Sequence, residues 1–319
     1  MTLHPKIIEA LSSVSVKPNT LTAQVGDRNL AGDSLRDLRG QLALALYDHL
    51  HAGVETNRDA GGASRKGAAR DFEFESQLTR AVPHVYAPIP GVLLGIDQDE
   101  VFVRTAEITL RVPQEKLSRA VAADDVGDSV ELRLDAVRPV VSPGFFYVVG
   151  AHARPDLYSE TRRIFVHLTD AKSAVQAWQF ALSALEGRCA DYHAKILSIS
   201  SEYPRRDALV IYLNGDDEGD VRALTRALTD CPAIGTSTSV FADELAPGIA
   251  TAWEPQDPRP GQAGLSFGQH RCLALARALL AHANGPGCES PAAAIAEQFR
   301  LANIDPYRPD RNLDCREDA

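Results

Sequence analysis

The sequence lacks the features that would place it in or across a membrane. No uncharged apolar run approaches the ~20 residues that a membrane span requires. The first 20 residues contain no basic stretch followed by an apolar core, so they do not predict a signal peptide. We therefore expect a soluble, cytoplasmic protein that does not associate with membranes.

Closely spaced cysteines are also absent. No two cysteines form a C-x-x-C pair, which excludes the commonest zinc and dithiol redox motifs and is typical of a reducing compartment. The chain has five cysteines in all: Cys189, Cys231, Cys272, Cys288 and Cys315.

Positive charge is scarce overall. With 33 Lys and Arg against 43 Asp and Glu, the formal net charge is −10, which argues against nucleic-acid binding but leaves room for a local basic pocket. The chain has neither a Walker A motif nor a G-x-G-x-x-G sequence, and its histidines and carboxylates do not cluster at metal-ligand spacing. We therefore predict no metal and no cofactor.

The apolar pattern predicts two kinds of region. In a chain of 319 residues with 45% hydrophobic content, residues 1–87 show helical periodicity and predict a helical N-terminal region. From residue 88 the pattern alternates, with several helical segments between strands, and 246–264 resemble a Pro/Gly-rich connection. The prediction is an α+β fold, with a mainly antiparallel sheet flanked by helices, and an α+β domain over 88–319.

One predicted strand, "TRRIFVHLTD" at 161–170, has an unusual polar side. Alternation places its aliphatic residues on one face, and places Arg163, Phe165 and His167 on the other. A guanidinium and an imidazole on one face fit either a solvated outer surface or a functional site.

Further cations lie on neighbouring predicted strands. Lys195 stands in "YHAKILSI", while Arg205 and Arg206 precede "DALVIYL". A lysine flanked by Ala, Ile and Leu is a candidate for partial burial, which disfavours the charged form of lysine and suits a general base. It could equally face solvent at a sheet edge. Several cations together in an acidic protein suggest a pocket for an anion such as phosphate.

The segment "GLSFG", at 264–268, matches the G-x-S-x-G pattern of serine hydrolases. That motif requires a strand before it, whereas three prolines precede this one, so we interpret Ser266 as a helix N-cap. Arg271 lies in the first turn of that helix, where it is either solvated or placed beside a bound anion.

Four segments together resemble a known family. They are "SPGFFYVVG", "YHAKILS", "YPRRDALVIYL" and "SFGQHRCLALARAL". In their order and spacing they resemble the Hop-type type III effector family, whose actinobacterial members act as the lyase component of class V lanthipeptide and thioamitide biosynthesis. The resemblance covers roughly residues 90 to 310. The family is similar in turn to the phosphothreonine lyases of bacterial effectors.

The resemblance implies roles for particular residues. In the lyases, a strand with an acid histidine is followed by a helix and then by a strand with a base lysine. The same order here implies that His167 is the general acid and Lys195 the general base. Phosphate-binding arginines carry over to Arg205 or Arg206 and to Arg271. The lyases have a lysine two residues before the histidine, where this chain has Phe165; the candidate for that phosphate contact is Arg163, on the same face.

The resemblance also implies an activity. Residues 88–319 would form a phosphothreonine-lyase-like catalytic domain that eliminates phosphate from phosphoserine or phosphothreonine of a ribosomal precursor peptide. The products would be dehydroalanine and dehydrobutyrine, and a separate Ser/Thr kinase would supply the phosphorylated peptide. One alternative is a non-catalytic module that binds a phosphopeptide or leader peptide beside a kinase. A weaker alternative is a serine hydrolase that uses Ser266.

Overall fold

The structure is a computed structural model that describes most of the chain. The described residues are 3–54, 70–106, 108–153, 160–215, 217–232, 234–285 and 290–315. Cys288 lies outside them; of the other four cysteines, all are free thiols.

The first 87 residues contain both helices and strands. The helices are α1 (Pro5–Ala10), α2 (Leu35–Leu46), a π-helical turn (Tyr47–Ala52) and α3 (Phe72–Arg80). Between α1 and α2 lies a three-stranded antiparallel sheet, made of β1 (Val14–Val16), β2 (Thr22–Val25) and β3 (Arg28–Ala31). The helical prediction did not include these strands, which are too short for alternation to distinguish them from loops.

A second antiparallel sheet follows, with four strands in the order β6-β5-β4-β7. Its strands are β4 (Tyr86–Asp97), β5 (Glu100–Arg104), β6 (Thr109–Pro113) and β7 (Ser129–Asp135). The predicted "DQDE" turn joins β4 to β5, because Asp97 pairs with Glu100. This sheet has a small apolar core of its own, around Leu93 and Leu132.

The main sheet has six strands in the order β12-β13-β9-β11-β10-β8, and every neighbouring pair is antiparallel. The strands are β8 (Phe145–Val149), β9 (Thr161–Leu168), β10 (Tyr192–Leu197), β11 (Arg205–Asn214), β12 (Asp243–Ala246) and β13 (Ile249–Trp253). The predicted α+β fold with a mainly antiparallel sheet is confirmed. The predicted connection over 246–264 is wrong in part, since it contains β13, the hydrogen-bonded neighbour of β9.

Helices cover both faces of this sheet. They are α4 (Ala171–Glu186), α5 (Glu218–Thr229), α6 (Phe267–Asn284) and α7 (Pro291–Leu301). Ile164, Val166 and Leu168 are fully buried in one core together with α4 and α5 residues, as the alternation predicted. Phe165, on the other face of β9, belongs to a second core with residues of α2, α6 and α7.

The polar face of β9 packs into this second core. Arg163 and Phe165 are buried, so this face is not a solvated outer surface. The core contains residues from both sides of residue 87, and the division of the chain at that point stays a prediction.

No helix among the described residues is long and apolar enough to cross a membrane.

Candidate active site

The strand register brings His167 and Lys195 to one face of the main sheet. Lys195 on β10 pairs with Val210 on β11, and Val210 pairs with Phe165 on β9. His167 follows Phe165 by two residues and therefore shares its face. From strand spacing, the two backbone positions lie about 10 Å apart across the sheet and about 7 Å apart along it. Both side chains are half-buried, so a substrate could lie between them.

Aromatic rings surround the amine of Lys195. Its Nζ lies 4.5 Å from the ring centroid of Phe145 and 5.8 Å from that of Tyr212. Such contacts stabilise a cation without giving it a hydrogen-bond partner. Within the described part of the chain, Lys195 has no ion pair or hydrogen bond, so its amine is available to a substrate.

Arg205 approaches the same ring. Its guanidinium carbon lies 5.9 Å from the Phe145 centroid. Asp207 accepts two hydrogen bonds of 2.8 Å from Arg205, and the Tyr47 hydroxyl donates to Asp207 over 2.6 Å. Arg205 is almost fully buried, and its Nη1 faces Glu202 at 3.6 Å. These contacts fix the guanidinium near the Phe145 ring. They use three of its five N–H groups, because Nη2 also donates to the Tyr47 hydroxyl over 3.2 Å.

Ser237 holds the imidazole of His167. The Nδ1 atom lies 3.1 Å from the Ser237 carbonyl oxygen and 3.2 Å from its hydroxyl. Because a carbonyl only accepts, Nδ1 is the protonated nitrogen in the neutral ring. The Nε2 atom has no hydrogen-bond partner among the described residues. Burial lowers the pKa of His167, and the nearby Arg206 lowers it further, against the opposing contact with Ser237.

Arg206 lies behind that contact. Its Nε donates to the Ser237 hydroxyl over 3.1 Å, and its Nη1 donates to the His49 carbonyl over 3.3 Å. Burial lowers the pKa of Arg206. Arg206 is therefore linked to His167 through the Ser237 hydroxyl. Arg205 instead lies near Phe145, the ring that Lys195 also contacts.

Arg163 lies on the predicted face but has a structural partner. Two of its nitrogens donate to the Glu254 carboxylate, and its guanidinium carbon lies 4.9 Å above the Tyr212 ring. The phosphate contact assigned to Arg163 stays a prediction, and Glu254 would compete for it.

Arg271 is not on the half-buried surface that Lys195 and His167 share. It is fully buried, and it donates to the carbonyls of Pro309 over 3.0 Å and Arg311 over 3.2 Å. Its third nitrogen contacts His270 Nδ1 at 2.7 Å. Burial lowers the pKa of Arg271 to about 9. These contacts anchor the C-terminal segment, and the phosphate contact assigned to Arg271 stays a prediction.

Ser266 caps α6, as the sequence predicted. Its hydroxyl accepts from the Gln269 amide over 3.4 Å, and the Gln269 side chain accepts from the Ser266 amide over 3.0 Å. The His270 imidazole donates to the buried carboxylate of Asp257, and among the described residues it makes no hydrogen bond with the Ser266 hydroxyl. Because neither a nucleophile elbow nor a triad is formed, the hydrolase alternative has no support in this geometry.

Several residues around the site were missed by sequence reasoning. His51, in the π-helical turn, is buried against the Phe165 ring, and its Nδ1 lies 2.8 Å from the Ser239 hydroxyl. Burial lowers the pKa of His51 to about 4. His51 is 188 residues from Ser239. No local pattern could have paired the two.

The described residues offer no cluster of His, Cys, Asp and Glu side chains that could hold a metal ion. A surface cleft of about 750 Å³, lined in part by Tyr86, Pro88 and His152, shares no residue with the surface around Lys195 and His167.

Comparison with known proteins identifies relatives of the chain. Residues 136–311, more than half of the chain and including every residue discussed from β8 to α6, match the HopA1 effector protein family. An effector protein from Pseudomonas syringae pv. tomato strain DC3000 is 14% identical, with a TM-score of 0.49 over 89% of this chain and 91% of that one. One from Pseudomonas syringae pv. syringae strain 61 is 16% identical, with a TM-score of 0.41 over 53% and 62%. No curated protein matches the chain.

Proposed function

Because the chain belongs to the HopA1 effector protein family, and because its motifs resemble those of phosphothreonine lyases, we propose that it is a phosphoserine/phosphothreonine lyase. The reaction is β-elimination of phosphate from a phosphorylated peptide, which gives dehydroalanine or dehydrobutyrine. The observation that carries the proposal is the placement of Lys195 and His167. Their half-buried side chains share one face of the sheet, and among the described residues neither the Lys195 amine nor His167 Nε2 has a hydrogen-bond partner.

Lys195 is the base in this proposal. In its neutral form it removes the proton from Cα of the phosphorylated residue, and the electron pair of that bond forms the double bond between Cα and Cβ. Phe145 and Tyr212 limit the positions that the amine can take. No described carboxylate lies close enough to hold Lys195 in an ion pair.

His167 is the acid. As the Cβ–O bond breaks, its electron pair goes to the bridging oxygen, and Nε2–H of the imidazolium protonates the leaving phosphate. Arg205 and Arg206 flank the two ends of the site and offset the charge that develops on the phosphate. Each has a nitrogen with no hydrogen bond to the described residues.

The proposed substrate is a ribosomal precursor peptide with phosphorylated Ser or Thr residues, as in lanthipeptide maturation. A separate Ser/Thr kinase would supply the phosphate. The support for this substrate and partner is the resemblance to lanthipeptide lyase components, and co-purification with a kinase from the same gene neighbourhood would test the partner.

A synthetic phosphopeptide tests the reaction itself. The expected products are free phosphate and a peptide lighter by one water than the unphosphorylated peptide. A product with the mass of the unphosphorylated peptide would indicate a phosphatase and contradict the proposal.

The second candidate is a binding module that holds the phosphopeptide without reaction. The observation that favours it is the pairing of Arg163 with Glu254 and of Arg205 with Asp207, since paired arginines suit a fixed binding surface. Phosphopeptide binding without any release of phosphate by the wild-type protein would support this candidate.

A further inference from the structure

A short segment from Ile234 to Ser237 packs directly on His167. Ile234 forms an isolated antiparallel bridge with Leu168, and the Gly235 amide donates to the His167 carbonyl over 2.9 Å. This segment therefore continues the sheet beside the end of β9, next to the turn that leads into β13.

Gly235 leaves the space that the His167 ring occupies. A Cβ atom built on Gly235 would lie 2.3 Å from Nδ1 and 2.4 Å from Cε1 of His167. Both atoms belong to the His167 ring, which is held close to the His167 backbone, and not to the far end of a flexible side chain. Any residue other than glycine would therefore displace the imidazole.

Ser237 supplies two acceptors to the same nitrogen. Its carbonyl oxygen and its hydroxyl both lie within hydrogen-bond distance of Nδ1. The hydroxyl in turn accepts from Arg206 Nε. The carbonyl cannot donate, so it keeps a proton on Nδ1 in both charge states of the ring, and only Nε2 exchanges a proton.

We propose that Gly235 and Ser237 are positioning residues for the acid of the lyase. Gly235 admits the ring, the Ser237 carbonyl fixes its tautomer, and the Ser237 hydroxyl connects the ring to Arg206. This inference rests on the proposed function for the role of His167 as an acid, but the tautomer itself is a property of the protein without substrate.

Nitrogen NMR of the histidine rings in the full-length protein tests the tautomer without any substrate. The His167 signals are assigned by their loss in His167→Gln. We expect the neutral ring to carry its proton on Nδ1, and a proton on Nε2 alone would overturn the inference. This result is independent of whether the protein turns over phosphopeptides.

Gly235→Ala is the critical variant, and Gly40→Ala in α2 is its matched control because a Cβ there meets no atom within 4 Å. We expect Gly235→Ala to lose the Nδ1–H signature and to lower kcat by about 10²-fold, with KM little changed, because the acid is misplaced while the substrate contacts remain. Gly40→Ala should match the wild type in both readouts. Retention of Nδ1–H and of full kcat by Gly235→Ala would contradict the inference.

Ser237→Ala separates the two groups of Ser237 and serves if Gly235→Ala does not fold. It keeps the carbonyl and removes the hydroxyl, so the Nδ1–H tautomer should persist. Loss of that tautomer in Ser237→Ala would show that the hydroxyl, and not the carbonyl, fixes the ring.

Discussion

The buried histidine of the π-helical turn makes the fold sensitive to acid. His51 is 2% exposed and lies between the Phe165 ring and the Ser239 hydroxyl. Burial lowers its pKa from 6.5 to about 4 in the folded protein. His51→Gln removes the titratable group and keeps a polar atom within reach of Ser239.

The direction of the change in stability with pH follows from proton uptake. The unfolded chain, with a histidine pKa near 6.5, binds the proton before the folded protein does, so the contribution of His51 to stability is complete above pH 6.5 and falls as the pH falls toward 4. For these two pKa values, His51 alone should lower the free energy of unfolding by about 2 kcal/mol between pH 7 and pH 5.

Urea unfolding of the wild type and of His51→Gln at pH 7 and pH 5 measures this loss. The substitution also has a cost that does not depend on pH, and comparing the two proteins at both pH values removes it. We expect the wild type to lose about 2 kcal/mol more than the variant on acidification. Equal losses in both proteins would show that His51 takes up its proton in the folded state and would refute the reasoning.

Two further predictions concern substitutions that change stability. Ser266→Ala should lower the free energy of unfolding by about 1 kcal/mol, because the α6 N-cap is lost. It should leave phosphate elimination unchanged. Labelling of Ser266 by a fluorophosphonate probe would contradict its assignment as a cap. Val140→Gly should raise the thermal midpoint, since Val140 is 71% exposed with a φ of 63°. Glycine adopts that left-handed conformation freely, and we expect a net gain of about 0.5–1 kcal/mol. An unchanged or lower midpoint would show that this backbone is not strained.

The fold was predictable where a segment is long enough to show its period. Residues 161–168 alternate over a whole strand, and α4 and α6 repeat apolar residues over several turns, so their positions were confirmed within a few residues. Strand β13 was not predicted. Four of its five residues are buried, so it shows no alternation, and a Pro-rich stretch follows it.

The candidate site was predictable only in part, for a similar reason. Alternation placed His167 on one face of β9, and the structure pairs neighbouring strands so that Lys195 shares that face. The partners of these residues come from distant segments, as Ser237 does for His167 and Tyr47 for Asp207. Pairs of this kind depend on tertiary packing, and no local pattern in the sequence marks them.

The phosphate-binding role that the family resemblance implies for Arg271 stays a prediction. The segment "FGQHR" begins a helix as the motif implies, but the guanidinium is fully buried against the C-terminal segment. That segment shows no sequence pattern that would indicate a partner for a buried arginine.

The most direct test of the central claim compares Lys195→Ala with Lys116→Ala on one phosphopeptide. Lys116 is the matched control because it also contacts an aromatic ring, Tyr86, but lies in the short 3-10 turn (Gln114–Lys116) that follows β6, away from the main sheet. We expect Lys195→Ala to bind the phosphopeptide and to eliminate phosphate at least about 10²-fold more slowly than the wild type, and Lys116→Ala to behave as the wild type. Elimination by Lys195→Ala at the wild-type rate would contradict the assignment of Lys195 as the base.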